Sequence, residues 1–216
     1  MSMKDLEHRV AGLSAQIDGL LDYFEIMNLQ GEYNHNLDTG GVRKIANDII
    51  AQKDPNVKTD LAGIYEGIES VRRLWDGMAS AVMSANGVMG TVANSTPYIE
   101  VSKDGKTAKG LWHGFGPNSF PCTPYPGDEE KLTAFWIMVK YVIEFAKEDG
   151  QWRIRTYHLE LYFRSPFEQG WIKQPDGRRF LVPPWASPDR PEARFKPYHP
   201  HAYNQFQPVP DSPSHV

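Results

Sequence analysis

From Leu6 the apolar residues fall at Leu6, Val10, Leu13, Ile17, Leu20, Leu21, Phe24 and Met27. Steps of three and four put one apolar face on a helix. Gly12 and Gly19 are the places where such a helix could break. Its second part, LDYFEIMNLQGEYNHNLD, ends at Thr39-Gly40-Gly41, because glycine readily takes the left-handed conformation that closes a helix. A second helical region is expected over VRKIANDIIAQ, short extended pieces over DPNVKTDLAGIYEG, and a third helix over GIESVRRLWDGMASAVMSA.

After Gly90 the period changes to two. TPYIEVSKDGKTAKGLWHGFG predicts two strands about Lys103-Asp104-Gly105-Lys106, and LTAFWIMVKYVIEFAKEDGQWRIRTYHLELYF predicts two longer ones about Glu148-Asp149-Gly150. Asp-Gly suits a tight hairpin. Helices first and hairpins afterwards indicate an α+β fold with helices packed on one face of a curved antiparallel sheet. Such a cone has a mouth where a small molecule can bind.

Residues 164–216 carry 11 of the 17 prolines. They break the periodicity, yet Trp171, Phe180, Trp185, Phe195, Tyr198, Tyr203 and Phe206 are too many aromatics for an inert linker. The expected organisation is a domain over 1–163 and an extended arm over 164–216, packing on the domain or on a neighbouring subunit.

Composition narrows the function classes. At 216 residues with 40% hydrophobic and 23% charged residues the chain has the make-up of a globular protein. A net charge of -4 supplies no basic field for nucleic acid or an anionic membrane. No run reaches membrane-spanning length and the N-terminus has no signal-peptide core, so the expected address is cytoplasmic. Cys122 is the single cysteine; with no cation beside it in sequence it reads as an ordinary thiol. No spaced array of histidines marks a metal site, HPH at 199–201 being in the arm, and GFG is too short for a dinucleotide fingerprint. No cofactor is therefore expected.

Four segments carry a family likeness: the series Asp22, Ile26, Leu29, Tyr33, Asp38; GIYEGIESVRRLW; TPYIEVSKDGKTAKGLW; and YVIEFAKEDGQWRI. In this order, from about Leu6 to Phe163, the chain resembles the SnoaL-like branch of the nuclear transport factor 2 (NTF2) superfold, with bile-acid dehydratases, scytalone dehydratase and hexachlorocyclohexane dehydrochlorinase as the enzymes it is most similar to. In such enzymes a tyrosine and an aspartate from the end of the first helix face the pocket, and a strand histidine acts as base. The resemblance puts Tyr33 and Asp38 in the first two roles. It leaves GVMGTVANSTPYIEV without the histidine, with Thr91, Asn94 and Ser95 in its place, and assigns no arginine on the last strand. It also implies a trimer or a dimer.

Histidine titrates in the range a general base needs. Of the seven, His8, His199, His201 and His215 lie in termini or arm, and His35 sits roughly 200° around the helix from Tyr33. His113, among the small residues of GLWHGFGPN, and His158, which period two places with Trp152, Ile154, Thr156, Glu160 and Tyr162, remain. Either can be a catalytic base or a hydrogen-bonded structural histidine.

The expected machinery is thus Tyr33 as electrophilic donor, His113 or His158 as base and Asp38 as its partner or as the base itself, with Asn94, Trp112, Asn118 and Glu160 contacting substrate. The expected function is a cofactor-independent lyase of dehydratase type on a cyclic or aromatic-like small molecule. The alternatives are isomerase, cyclase or decarboxylase chemistry in the same pocket, or a noncatalytic binding or assembly module.

Overall fold

The structure is a computed structural model that describes residues 2–122, 131–174 and 182–191. Phe180, Phe195, Tyr198, His199, His201, Tyr203, Phe206 and His215 lie outside the described residues. One helix, α1 (Met3–Asp38), runs unbroken through Gly12 and Gly19. It starts at a capping box, in which Asp5 N–H donates to the Ser2 hydroxyl and Ser2 N–H to the Asp5 carboxylate. It stops as expected, with Thr39 as C-cap and Gly40 at φ +76°.

Next come α2 (Val42–Lys44), continued by a π-helical turn at Ile45–Ile49, and two short strands, β1 (Lys58–Asp60) and β2 (Ile64–Glu66). The third helical region is α3 (Ile68–Arg72), a π-helical stretch Arg73–Ala79, and α4 (Ser80–Met83). The strands follow: β3 (Met89–Gly90), β4 (Ala93–Val101), β5 (Thr107–Cys122), β6 (Lys131–Glu148) and β7 (Gln151–Pro166). Asp149 and Gly150, both at positive φ, make the two-residue turn from β6 to β7.

The sheet order is β2-β1-β7-β6-β5-β3, with β4 also on β5. All pairings are antiparallel except β1 with β7. The strands of 16, 18 and 16 residues at its centre curl around α1, the π-helical turns and α3. The core lies on the concave side, where Tyr33, Ile45, Ile49, Leu74, Trp75, Tyr141, Ile143, Phe145, Ile154 and Tyr157 are fully buried. The α+β cone expected from the sequence is the observed fold.

Two irregularities in β7 decide which side chains face the cone. Its register against β6 shifts between Glu144 and Phe145, where Arg155 is extra, and between Met138 and Val139, where Tyr162 is extra. Each added residue exchanges the faces from there on. Trp152 and Ile154 are concave, then Tyr157 and Leu159 are, and finally Arg164. His158 and Glu160 therefore lie on the convex face, not with Trp152 and Ile154 as strict alternation implied.

Of the residues beyond β7, α5 (Gly170–Lys173) stacks Trp171 on Phe163, and 182–191 lie along β2 and the π-helical stretch Arg73–Ala79. There Ala186 C=O accepts from the Tyr65 hydroxyl at 2.8 Å, Asp189 pairs with Arg73 at 2.9 Å, and the Trp185 ring sits over Gly77. Among the described residues no helix is long and apolar enough to cross a membrane.

Candidate active site

A cavity of about 790 Å³, its open mouth included, occupies the wide end of the cone. Its walls are apolar, from Leu37 on α1, Leu74, Met78 and Val82 on the third helical region, and Ile137 and Val139 on β6. The polar groups among its lining residues are few: Tyr33, Tyr141, Tyr157, Trp75, Asn118 and Arg164.

At the centre the Tyr33 and Tyr157 hydroxyls are 2.7 Å apart. Trp75 meets both rings edge-on at 5.8 and 5.7 Å, while Tyr141 lies 6.4 Å from Tyr33 and 6.0 Å from Tyr157. Trp75 N–H donates to the Thr59 hydroxyl, which fixes the indole. Burial pushes the phenol pKa of Tyr33, Tyr141 and Tyr157 well up. All three stay protonated near neutrality, so they serve as hydrogen-bond donors rather than bases. In the Tyr33–Tyr157 pair one hydroxyl donates to the other, leaving one proton to offer a third group.

Asp38 follows the cavity-lining Leu37 at the end of α1; it is exposed and is not itself among the lining residues. Its carboxyl pKa is raised, above all by partial desolvation, against the lowering effects of the nearby His35 charge and of a hydrogen bond from the Thr91 side chain. The Asp38 charge also raises the phenol pKa of Tyr33 and Tyr141. Thr91 packs directly on β5 because Gly116 has no side chain: a Cβ there would stand 2.1 Å from the Thr91 carbonyl oxygen. Gly114 is filled in the same way by Val92, Tyr141 and Val139. The small residues around His113 admit the protein's own groups instead of a ligand.

Neither strand histidine joins this site. His113 is exposed on the convex face, with Nδ1 2.8 Å from the Thr96 hydroxyl and its ring 6.2 Å from Tyr162. His158 Nδ1 is 2.8 Å from Asp60 Oδ2, and its Nε2 is 3.8 Å from Glu160 Oε1. Glu160 in turn lies 3.9 Å from Lys140 Nζ, a convex-face lysine only 5% exposed. Among the described residues no three histidine, cysteine or acidic side chains are grouped to hold a metal ion.

Of the residues expected to touch substrate, Asn118 lines the cavity. Its amide N–H groups donate to Thr91 and Pro117 carbonyls at 3.1 and 2.8 Å, which leaves Oδ1 as the atom it can present. Trp112 is core, packed on Phe145 at 6.1 Å and over Gly110. Asn94 is part-buried on β4, and Glu160 is convex; neither lines the cavity. The sequence reading missed Tyr141, Tyr157 and Arg164. Tyr157 stands next to the histidine that drew attention, and only the second shift in β7 turns Arg164 inward.

The chain is similar in structure to a hexachlorocyclohexane dehydrochlorinase, LinA type 2, at 15% identity and a TM-score of 0.55, covering 78% of this chain and 98% of that one. A putative scytalone dehydratase from Novosphingobium aromaticivorans gives 15% identity and 0.55 over 76% and 98% of the two chains. LinA type 3 from Novosphingobium barchaimii gives 14% and 0.53 over 78% and 99%. These likenesses establish a shared NTF2-like fold. No curated protein matches the chain. Residues 18–158 match the model of the SnoaL-like domain, and the chain belongs to that family.

Proposed function

We propose that the protein is a cofactor-independent lyase of dehydratase type, acting on an apolar, ring-sized small molecule that carries a carbonyl and a β-hydroxyl group. The observation that carries this reading is the buried Tyr33–Tyr157 hydroxyl pair in an otherwise apolar cavity, within the field of a carboxylate whose pKa is raised. The spare phenol proton hydrogen-bonds the substrate carbonyl and stabilises the enolate as charge develops. Asp38 removes the proton next to that carbonyl, and its protonated form returns it to the departing hydroxyl, so that water leaves and a conjugated double bond forms. Arg164, cationic throughout the working range, adds positive potential to the cavity wall. The dehydratase and dehydrochlorinase named among the structural relatives are compatible with this chemistry.

A second reading, a small-molecule-binding module without turnover, is favoured by one observation: no histidine lines the cavity. One experiment separates the two. Purified protein is incubated with a panel of cyclic β-hydroxy-ketones, and enone formation is followed by ultraviolet absorbance beside ligand-induced shifts in Tm. Turnover that disappears in Asp38→Asn while the Tm shift persists supports the lyase. Tm shifts without turnover in the native protein establish the binding module.

A further inference from the structure

The first 19 residues of α1 touch little else. From Met3 to Leu21 every residue is exposed, and the first buried residue is Asp22, held by Lys147 at 2.5 Å and by Trp152 N–H at 2.9 Å. Yet Met3, Leu6, Val10, Leu13, Ile17, Leu20 and Phe24 stand 42–73% exposed along one side. A free helix about 28 Å long with that much apolar surface in water is marginal. Its capping box shows a helix start specified locally all the same.

The spacing is a heptad repeat. With Met3, Val10, Ile17 and Phe24 at position a and Leu6, Leu13, Leu20 and Met27 at d, the steps alternate three and four without interruption. The two inner a positions, Val10 and Ile17, are β-branched and the d positions Leu6, Leu13 and Leu20 are leucine, the combination that favours two parallel strands over three or four. The direction of the stripe excludes the chain's own domain as its cover. At about 100° per residue, the residues that seat α1 on the domain, Asp22, Ile26, Leu29, Gln30 and Tyr33, cluster within about 100° of arc. The a and d positions centre on the opposite side. At Met27 the repeat ends, as that side chain packs on the core.

Flanking charge is compatible with a second copy in parallel register. The e positions are Glu7, Ser14 and Leu21, and the g positions Ser2, Arg9, Gln16 and Tyr23. Each g residue faces the e residue five further along the partner, giving Ser2 with Glu7, Arg9 with Ser14, and Gln16 with Leu21. No like charges oppose, and Leu21 at e widens the apolar seam. The remaining titratable groups of the segment, Lys4, Asp5, His8, Asp18 and Asp22, take positions b, c or f, away from the seam.

We infer that residues 3–24 form a parallel two-stranded coiled coil with the same residues of a second copy of this chain, joining two catalytic cones at their N-terminal helices. The inference is independent of the reaction assigned to the cone. It is tested on the full-length chain by sedimentation equilibrium. The native protein has twice the 24.5 kDa chain mass, and Leu13→Lys with Ile17→Lys returns it to one chain mass with loss of helical circular dichroism while the near-ultraviolet signal of the cone persists.

Direction is read by cross-linking in a Cys122→Ser background. Leu6→Cys, at a d position, forms a covalent dimer on mild oxidation, and Ala11→Cys, facing outward, does not. A native protein of one chain mass, with the stripe covered by its own arm or by nothing, overturns the inference. So does a dimer that the two lysines leave intact, or one that Leu6→Cys fails to link.

Discussion

The two faces of β6 and β7 come from alternate residues of the same stretches and have opposite chemistry. The concave face presents Tyr141, Tyr157 and Arg164 to an apolar cavity, with the phenols kept neutral by burial. The convex face gathers Asp60, His158, Glu160 and Lys140 into a row of closely spaced ionisable groups. The convex row has more of what a catalytic site is usually recognised by, a histidine held by an aspartate, yet it adjoins none of the cavity described here. Titratable side chains in mutual contact can be structural; an accessible space beside a donor and a base is what chemistry requires.

The largest expected difference between the faces is Asp38→Asn on the concave side. Turnover falls about 10²- to 10⁴-fold, the usual range for removing a general base. The sign of the stability effect is opposite. The folded-state pKa of Asp38 is raised, so ionising it above its unfolded pKa costs stability, fully so above the folded value. The asparagine variant accordingly holds or raises Tm at neutral pH in a thermal melt. On the proposed mechanism the rate of the native protein falls as pH drops through this raised pKa, so the acid limb of kcat/KM is displaced upward from that of an unperturbed aspartate.

Lys140→Ala is the counterpart on the convex side. It leaves Glu160 poorly compensated where both side chains are largely buried, and costs about 3 kcal/mol in urea unfolding, with kcat of the folded fraction unchanged. Loss of turnover without loss of stability would instead move the site to this face. Tyr157→Phe removes one hydroxyl of the pair, and kcat falls about 10²-fold with KM little altered; a purely structural pair would leave kcat alone. The smallest effect is that of His113→Ala, an exposed convex position, within about 0.5 kcal/mol of native stability and neutral for turnover.

The two halves of α1 show how legible a sequence is when one contact suffices. The family series Asp22, Ile26, Leu29 and Tyr33 marked the seated half, and Thr39-Gly40 marked its end, whereas the apolar stripe read from periodicity, Leu6 to Phe24, lies on the exposed side. The hairpin turns at Gly105 and at Asp149-Gly150 were legible because a positive φ is a demand on single residues. Tyr33 in the cavity followed from family spacing. His158 and Glu160 were placed on the wrong face because a bulge leaves no mark in a run of alternating residues: Arg155 and Tyr162 look like ordinary strand positions.

The sequence by itself thus determined the order of elements, the α+β class, the C-terminal end of the first helix, the hairpin turns and the family. Each rests on periodicity, turn chemistry or motif spacing, which act over a few residues. Only the tertiary structure decided that Thr91 packs against Gly116, that Tyr33 meets Tyr157 from 124 positions away, and that Arg164 rather than a histidine lines the cavity. Those contacts depend on sheet register and on the close approach that Gly116 permits. Register is settled by the summed packing of three long strands, which no short stretch of sequence encodes.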